Sequence, residues 1–197
     1  MGENKCQFRG CDEFAAMHFL HVEDCSVADF SYCITHGTDH VTRHQQTFGD
    51  YTTTSLVSTA SSKRIECFVH FLFSYPEYES PYGYVELIEK KGRRVFGFTF
   101  DVHVSAEIHR VLAKMPMPRP MSHNSMLKAI AVLGGSLRSV ELYQLPNEHS
   151  TYGGTAHLQR NDEELTVDMR ASDAILLALL DDKPIFVPED LLYSHGD

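Results

Sequence analysis

Four residues near the amino terminus have the types and spacing of a metal site. Cys6 and Cys11 form a Cys-x4-Cys pair, Cys33 and His36 form Cys-x2-His, and twenty-one residues separate the pairs. Zinc takes four tetrahedral N or S ligands, and two short knuckles brought together by a hairpin supply them without a large core. A segment of about forty residues folds alone only with such help. The spacing therefore predicts one structural zinc bound by Cys6, Cys11, Cys33 and His36. His18 and His21 are alternative ligands, and Cys25, in the expected hairpin turn Val22 to Ser26, reads as a free thiol. A closed four-ligand site leaves the metal no open position, so its role is structural. The competing reading is a tail with incidental cysteines.

A second group lies near the carboxy terminus. Strand alternation puts Leu165, Val167 and Met169 on one face, read as core, and Thr166, Asp168 and Arg170 on the other. Ser172 then begins a helix whose free amides and positive dipole end favour an anion. A guanidinium can clamp phosphate oxygens, and a carboxylate can hold a divalent metal or orient water, so the group suits phosphodiester hydrolysis. His123, just inside another helix start, could serve as general acid or base or contact phosphate. Each residue also has a plain structural reading. Asp168 and Arg170 could form a surface ion pair, Ser172 is a common N-cap, and His123 could merely cap its helix.

The elements that must position these groups are those of an α+β fold. Segments 65–74, 82–89 and 93–100 read as strands, the first two joined across a proline-containing turn at Pro76 to Pro81. Ser105 is the expected N-cap of a helix with Ile108, Val111 and Leu112 on one face, ended by Pro116, Pro118 and Pro120. Ser122 is expected to cap a second helix carrying Met126, Ile130 and Leu133 until Gly134 and Gly135 stop it. Strands follow over 137–143, 152–159 and 164–170, then an apolar helix 173–180 and a short strand 184–187. That last helix is apolar on every side and so is buried all round, which predicts a second subunit on the face its own sheet leaves uncovered and hence a homo-oligomer.

Residues 45–63 are rich in Ser and Thr with few large apolar groups, and read as a flexible linker. The expected division is a zinc-binding module over 1–44, this linker, and a larger mixed-sheet domain with packed helices over 64–197.

Two blocks carry a family resemblance. Asp168-Met169-Arg170-Ala171-Ser172-Asp173-Ala174, followed by Pro184-Ile185-Phe186-Val187, resembles the Asp-x-Arg-Pro-Ser-Asp-Ala signature of the bifunctional nuclease domain. Pro118-Arg119-Pro120-Met121-Ser122-His123 resembles that family's Arg-Pro-x-Thr-His segment. The order of elements agrees from about Arg64 to His195. The resemblance implies cleavage of DNA or RNA, with Asp168, Arg170, Asp173 and His123 catalytic, Arg119 and Ser172 binding substrate, and a divalent metal at that site. The sequence departs from the family at Asn124, commonly Asp, at Ala171, commonly Pro, and at Val104, often Glu. The amino-terminal segment is similar to the small zinc modules, of treble-clef or zinc-ribbon type, at the front of certain bacterial adaptor proteins, which implies a protein partner for it. It departs from them in the longer first knuckle and in His36.

The net charge of −10, from 17 Lys and Arg against 27 Asp and Glu, argues against a dedicated nucleic-acid-binding protein. Any such contact requires a local basic patch or a metal. Five cysteines, four within the first 33 residues, do not suggest a disulfide framework. No export signal or membrane-spanning run is visible, so a cytoplasmic protein without membrane association is expected. Two functions are compatible with these features: a nuclease with an added zinc module, or a non-enzymatic adaptor that keeps the fold and binds a protein or small anion.

Overall fold

The computed structural model describes residues 5–13, 15, 17–23, 26–33, 35–37, 39–40, 43, 63–74, 82–116, 119–145 and 151–194. The expected linker up to residue 62, Cys25, and the turn 76–81 lie outside them. The architecture is α+β: a mixed sheet with helices packed on it.

The strands are β1 (Met17–Glu23), β2 (Ser26–Tyr32), β3 (Arg64–Ser74), β4 (Tyr82–Glu89), β5 (Arg94–Asp101), β6 (Gly135–Gln144), β7 (Tyr152–Arg160), β8 (Glu163–Arg170), β9 (Ile185–Pro188) and β10 (Tyr193–Ser194). They run in the order β10-β5-β4-β3-β9-β6-β7-β8. β9 pairs parallel with β6, and the other pairings are antiparallel. β3 divides one edge between two partners. Its first half, Arg64 to Cys67, pairs with β9, and its last residues, Phe71 to Ser74, pair with β1 of the amino-terminal hairpin. Between them lies a bulge at Val69/Phe71 in the register with β4, where the strand can bend from one partner to the other.

The hairpin therefore belongs to the same sheet as the larger segment. Met17 and Phe19 are buried with Phe71, Phe73 and Tyr84, and the Phe19 and Phe73 rings stack at 5.0 Å. His109 adds a contact from the helical layer, its Nε2 3.3 Å from Asp29 of β2.

Besides the helical residues 35–37, 39–40 and 43 and a 3-10 turn at Glu189–Leu191, three helices are described: α1 (Val102–Leu112), α2 (Ser122–Val132) and α3 (Ala171–Leu180). α1, α2 and α3 each start on a cap other than the expected serine. Asp101 caps α1, accepting the His103 N–H at 2.8 Å, while Ser105 is buried and donates to the Phe73 carbonyl. Met121 precedes α2, its N–H donating to Asn124 Oδ1 at 3.2 Å, which gives Asn124 a structural task. Arg170 precedes α3, and Ser172 is buried in the first turn at 4% exposure.

Ile175, Leu176 and Leu177 are fully buried in the main core, with Val85, Leu87, Ile108, Val140 and Leu142. α3 lies over β6 and β7, and α1 and α2 cover its other side. The face read as waiting for a second subunit is thus occupied within the chain. The end of α2 leaves apolar side chains uncovered, with Val132 and the adjoining Leu133 exposed. Val167, expected in the core, is also exposed, because β8 is the sheet's edge and α3 packs mainly over its neighbours. Among the described residues no helix is long and apolar enough to cross a membrane.

Candidate metal centre and helix-junction site

The amino-terminal group assembles as its spacing implies. The ligand atoms of Cys6, Cys11, Cys33 and His36 lie within 4.8 Å of one another and could hold a metal ion. Cys11 Sγ is 3.8 Å from Cys33 Sγ, and His36 Nδ1 is 3.2 Å from Cys33 Sγ and 3.5 Å from Cys6 Sγ. The first knuckle turns at Gly10, whose positive φ of 86° suits glycine, and Cys11 N–H closes the turn on the Phe8 carbonyl. Phe8 then stacks on the His36 ring at 4.0 Å and fixes its plane. His21, an alternative ligand, faces His40 instead, with their Nε2 atoms 3.2 Å apart.

The thiols are electrostatically unequal. Burial opposes ionisation of Cys6, but the backbone N–H groups of Cys33 and Phe8, with the His36 and Cys11 side chains, bring it down to about 7. The His36 backbone N–H favours the Cys33 thiolate, but burial and the adjacent Cys11 and Cys6 push that thiol up to about 11. A bound dication would favour the thiolate form of all three cysteines. Cys67 is a different case: buried in the sheet, its thiol is pushed up to about 12 by desolvation.

The carboxy-terminal candidates divide into two places. Where α1, α2 and α3 meet, His123 stands between two carboxylates: its Nδ1 is 3.2 Å from Glu107 Oε2 and its Nε2 is 3.2 Å from Asp173 Oδ1. All three side chains are mostly buried. Arg170 donates to Asp173 from Nε at 2.8 Å and from Nη2 at 3.2 Å while remaining largely exposed itself. Asp173 raises the Arg170 pKa above its ordinary value. Arg119 is exposed and lines a groove beside this junction together with Glu107.

Asp168 is elsewhere. The two glycines of β7 distinguish the faces. A Cβ on Gly154 would meet Ala174 of α3, whereas one on Gly153 would meet the Tyr143 ring. Arg170 and Asp168 are in register with Gly153 and Thr155, so their Cβ atoms point to the face away from α3. Tyr143 crosses Gly153 and donates its hydroxyl proton to Asp168 Oδ1. That hydrogen bond, with burial and the Asp168 charge, raises the Tyr143 pKa. Arg170 reaches back around the sheet edge to Asp173. Asp168 stays with Tyr143.

Glu107 is the functional candidate that the sequence reading missed. It lies one turn after Val104, among the inward-facing Val104, Ile108 and Val111, and an acid on that face was the available signal. A carboxylate thus reaches the junction from α1 although Val104 itself is apolar. The three groups do not converge on one point, because Glu107 and Asp173 occupy opposite nitrogens of the ring. The arrangement therefore does not fit a divalent ion held jointly by all three. It fits proton transfer, with one carboxylate orienting the imidazole and the other exchanging a proton with it.

Comparison with known proteins places this junction in a family. The bifunctional nuclease domain profile matches residues 85–196, more than half of the chain. The chain belongs to the bifunctional nuclease domain family. Glu107, Arg119, His123, Asp168, Arg170 and Asp173 all lie within the matched region of this family domain, whereas β3 and the Cys/His cluster precede it. Similar proteins include two uncharacterised proteins of Mycobacterium tuberculosis, Rv1829 of strain H37Rv and MT1877 of strain CDC 1551. Each is 34% identical over 79 residues, covering 40% of this chain and 45% of the relative. The alignment thus spans less than half the length of these relatives. Family membership suggests a nuclease-like function and contact with nucleic acid.

Proposed function

We propose that this chain hydrolyses phosphodiester bonds of DNA or RNA at the junction of α1, α2 and α3. The observation that carries the reading is the imidazole of His123 held between Glu107 and Asp173 inside a bifunctional nuclease domain. Asp173 accepts Nε2–H and fixes the tautomer, leaving Nδ1 with Glu107 to take a proton from attacking water or return one to the leaving oxygen. Arg170, held by Asp173 with much of its guanidinium in solvent, balances the charge of the phosphoryl group. Asp168 has no proton-transfer role in this reading. Ser172 supports α3 from within, and Arg119 contacts substrate from the groove.

Support for a single structural zinc comes from distances. A tetrahedral zinc with Zn–S near 2.3 Å and Zn–N near 2.0 Å has edges of about 3.8 Å between sulfurs and about 3.5 Å between sulfur and nitrogen. The 3.8 Å separation of Cys11 and Cys33 and the 3.2 and 3.5 Å separations to His36 match these edges. The module would add a protein-binding surface, and residues 45–62 would tether it.

The test is cleavage of labelled single-stranded and duplex DNA and RNA by wild type and by Asp173→Asn, His123→Ala and Asp168→Asn. Strong loss in the first two with retention in the third is expected. No cleavage by wild type, with magnesium, manganese or zinc supplied, would overturn the enzymatic reading. The non-enzymatic alternative draws on one observation, that Arg170 already donates twice to Asp173.

A further inference from the structure

We propose that the groove between α1, α2 and the end of α3 carries an unpaired nucleic-acid strand to the Glu107–His123 pair, an inference that rests on the nuclease reading. The groove encloses about 420 Å³. Its rim holds Arg110, Lys114, Arg119 and Lys128, and its lining includes the apolar side chains of Val111, Leu176 and Leu180.

Four cations and one acid line this groove in an otherwise acidic chain. The protein has a net charge of −10 and only 17 Lys and Arg. Elsewhere several cations are paired with acids: Arg64 with Glu141, Lys90 with Glu66, Arg94 with Glu89 and Glu189, Arg160 with Glu163. Others, such as Arg9, Lys91, Arg93 and Arg138, have no such pair to a described residue, but they do not line this groove. None of the four rim side chains makes a hydrogen bond or ion pair to a described residue. The acid in the described lining is Glu107, and it already contacts His123. A concave site with several unneutralised cations selects a ligand bearing several negative charges, and the groove ends at the proton-transfer pair.

Lys114 supplies an independent observation. It follows the C-cap Ala113 of α1 with φ of 52°, in the left-handed region where helices normally place glycine. Among the described residues, the other non-glycine residues with positive φ are Asn161 and Asp182, types that tolerate this conformation. A lysine there costs stability that glycine would spare. Its side chain on the groove rim is the return for that cost.

The size and lining favour a single strand over a duplex. The volume lies in the range of about 300–1,000 Å³ typical of small-ligand sites, so it accommodates a nucleotide and not a double helix. An apolar lining accepts a base face, which only an unpaired strand can offer. The described lining contains no aromatic side chain, so binding draws mainly on phosphates and discriminates weakly among bases.

The test is fluorescence anisotropy with a labelled phosphorothioate oligothymidine of about 12 nucleotides, compared with its duplex and with an oligoglutamate peptide. The full chain is used, as wild type, Lys114→Gly and the triple variant Arg110→Gln/Lys114→Gln/Lys128→Gln, with melting temperatures recorded alongside. Wild type should prefer the single strand. The triple variant should bind at least about tenfold more weakly, with a salt slope lower by about 0.7 for each phosphate that is no longer neutralised. Lys114→Gly should bind more weakly and melt higher. Unchanged binding in a folded triple variant, equal binding of duplex or of oligoglutamate, or a lower melting temperature for Lys114→Gly would overturn the proposal. Groove-dependent binding without cleavage by wild type would remove the nuclease reading and leave the groove standing. Cleavage that needs His123 but ignores the groove variants would do the reverse.

Discussion

His123 and Asp173 meet at 3.2 Å from different helices, and the same carboxylate receives two hydrogen bonds from Arg170. Asp173 therefore sets the position of both the imidazole and the guanidinium. Replacing it by Asn keeps the size but removes the charge that holds both. Cleavage by Asp173→Asn should fall by roughly a hundredfold or more, the usual consequence of disabling an oriented charged group at a phosphoryl centre. Glu107→Gln should also reduce turnover. Initial-rate assays at matched folded fraction measure both, and wild-type rates in either variant would exclude the junction as the catalytic site.

Asp168→Asn provides the contrasting case. Its side chain meets Tyr143 on the sheet face away from α3. Cleavage should stay within a few-fold of wild type, with stability lower by about 1 kcal/mol from the weakened hydrogen bond. A loss of rate matching that of Asp173→Asn, without loss of fold, would return Asp168 to the catalytic set.

Metal analysis of protein purified without chelator should give one zinc per chain. Cys33→Ser and His36→Ala should each lower that content and destabilise the hairpin that rests on Phe71 and Phe73. Unchanged zinc in Cys33→Ser would place the metal elsewhere.

Limited proteolysis between residues 45 and 62 should yield two pieces that remain together in size-exclusion chromatography. β1 is hydrogen-bonded to β3, and Met17 and Phe19 are buried against Phe71, Phe73 and Tyr84. A fragment from about residue 64 that separates readily and keeps its melting temperature would show that the hairpin contributes little to the larger domain.

Glu89 carries a pH dependence. Hydrogen bonds from the Arg94 side chain, then from its backbone N–H, hold the Glu89 carboxyl below its ordinary value of 4.5. The pair thus contributes stability above that value, and the contribution is lost as pH falls through the lowered one. Hydrogen bonds to a charged group contribute about 1.5–3 kcal/mol, so Glu89→Gln should lose roughly that at neutral pH and show a flatter acid limb. Urea unfolding between about pH 3 and pH 7 measures the difference. Parallel curves for the two proteins would assign the acid limb to other carboxylates.

Much of the architecture was legible because its signals are local. The expected strand 82–89 coincides with β4, where apolar residues sit between turn-forming segments. The grouping of Cys6, Cys11, Cys33 and His36 was legible from spacing alone, since so short a segment leaves them few alternative arrangements. What escaped is tertiary. Ser105 looks like a cap but is consumed inside the fold by the Phe73 carbonyl. Glu107 reaches His123, sixteen residues away, only once α1 and α2 pack. The side on which Asp168 emerges depends on which face α3 covers. Adjacent Gly153 and Gly154, crowded from opposite sides, mark that choice only once the partners are known.

The divided edge of β3 bears on how the chain acquires its structure. One half of that strand waits for β9, more than a hundred residues downstream, and the other rests on a hairpin made far earlier. Pairings so distant in sequence slow folding, and during synthesis the β9 half of the edge stays open until almost the whole sheet has emerged. In that interval the early hairpin shields Phe71 to Ser74, an aromatic stretch that would otherwise offer an aggregation-prone edge to neighbouring nascent chains.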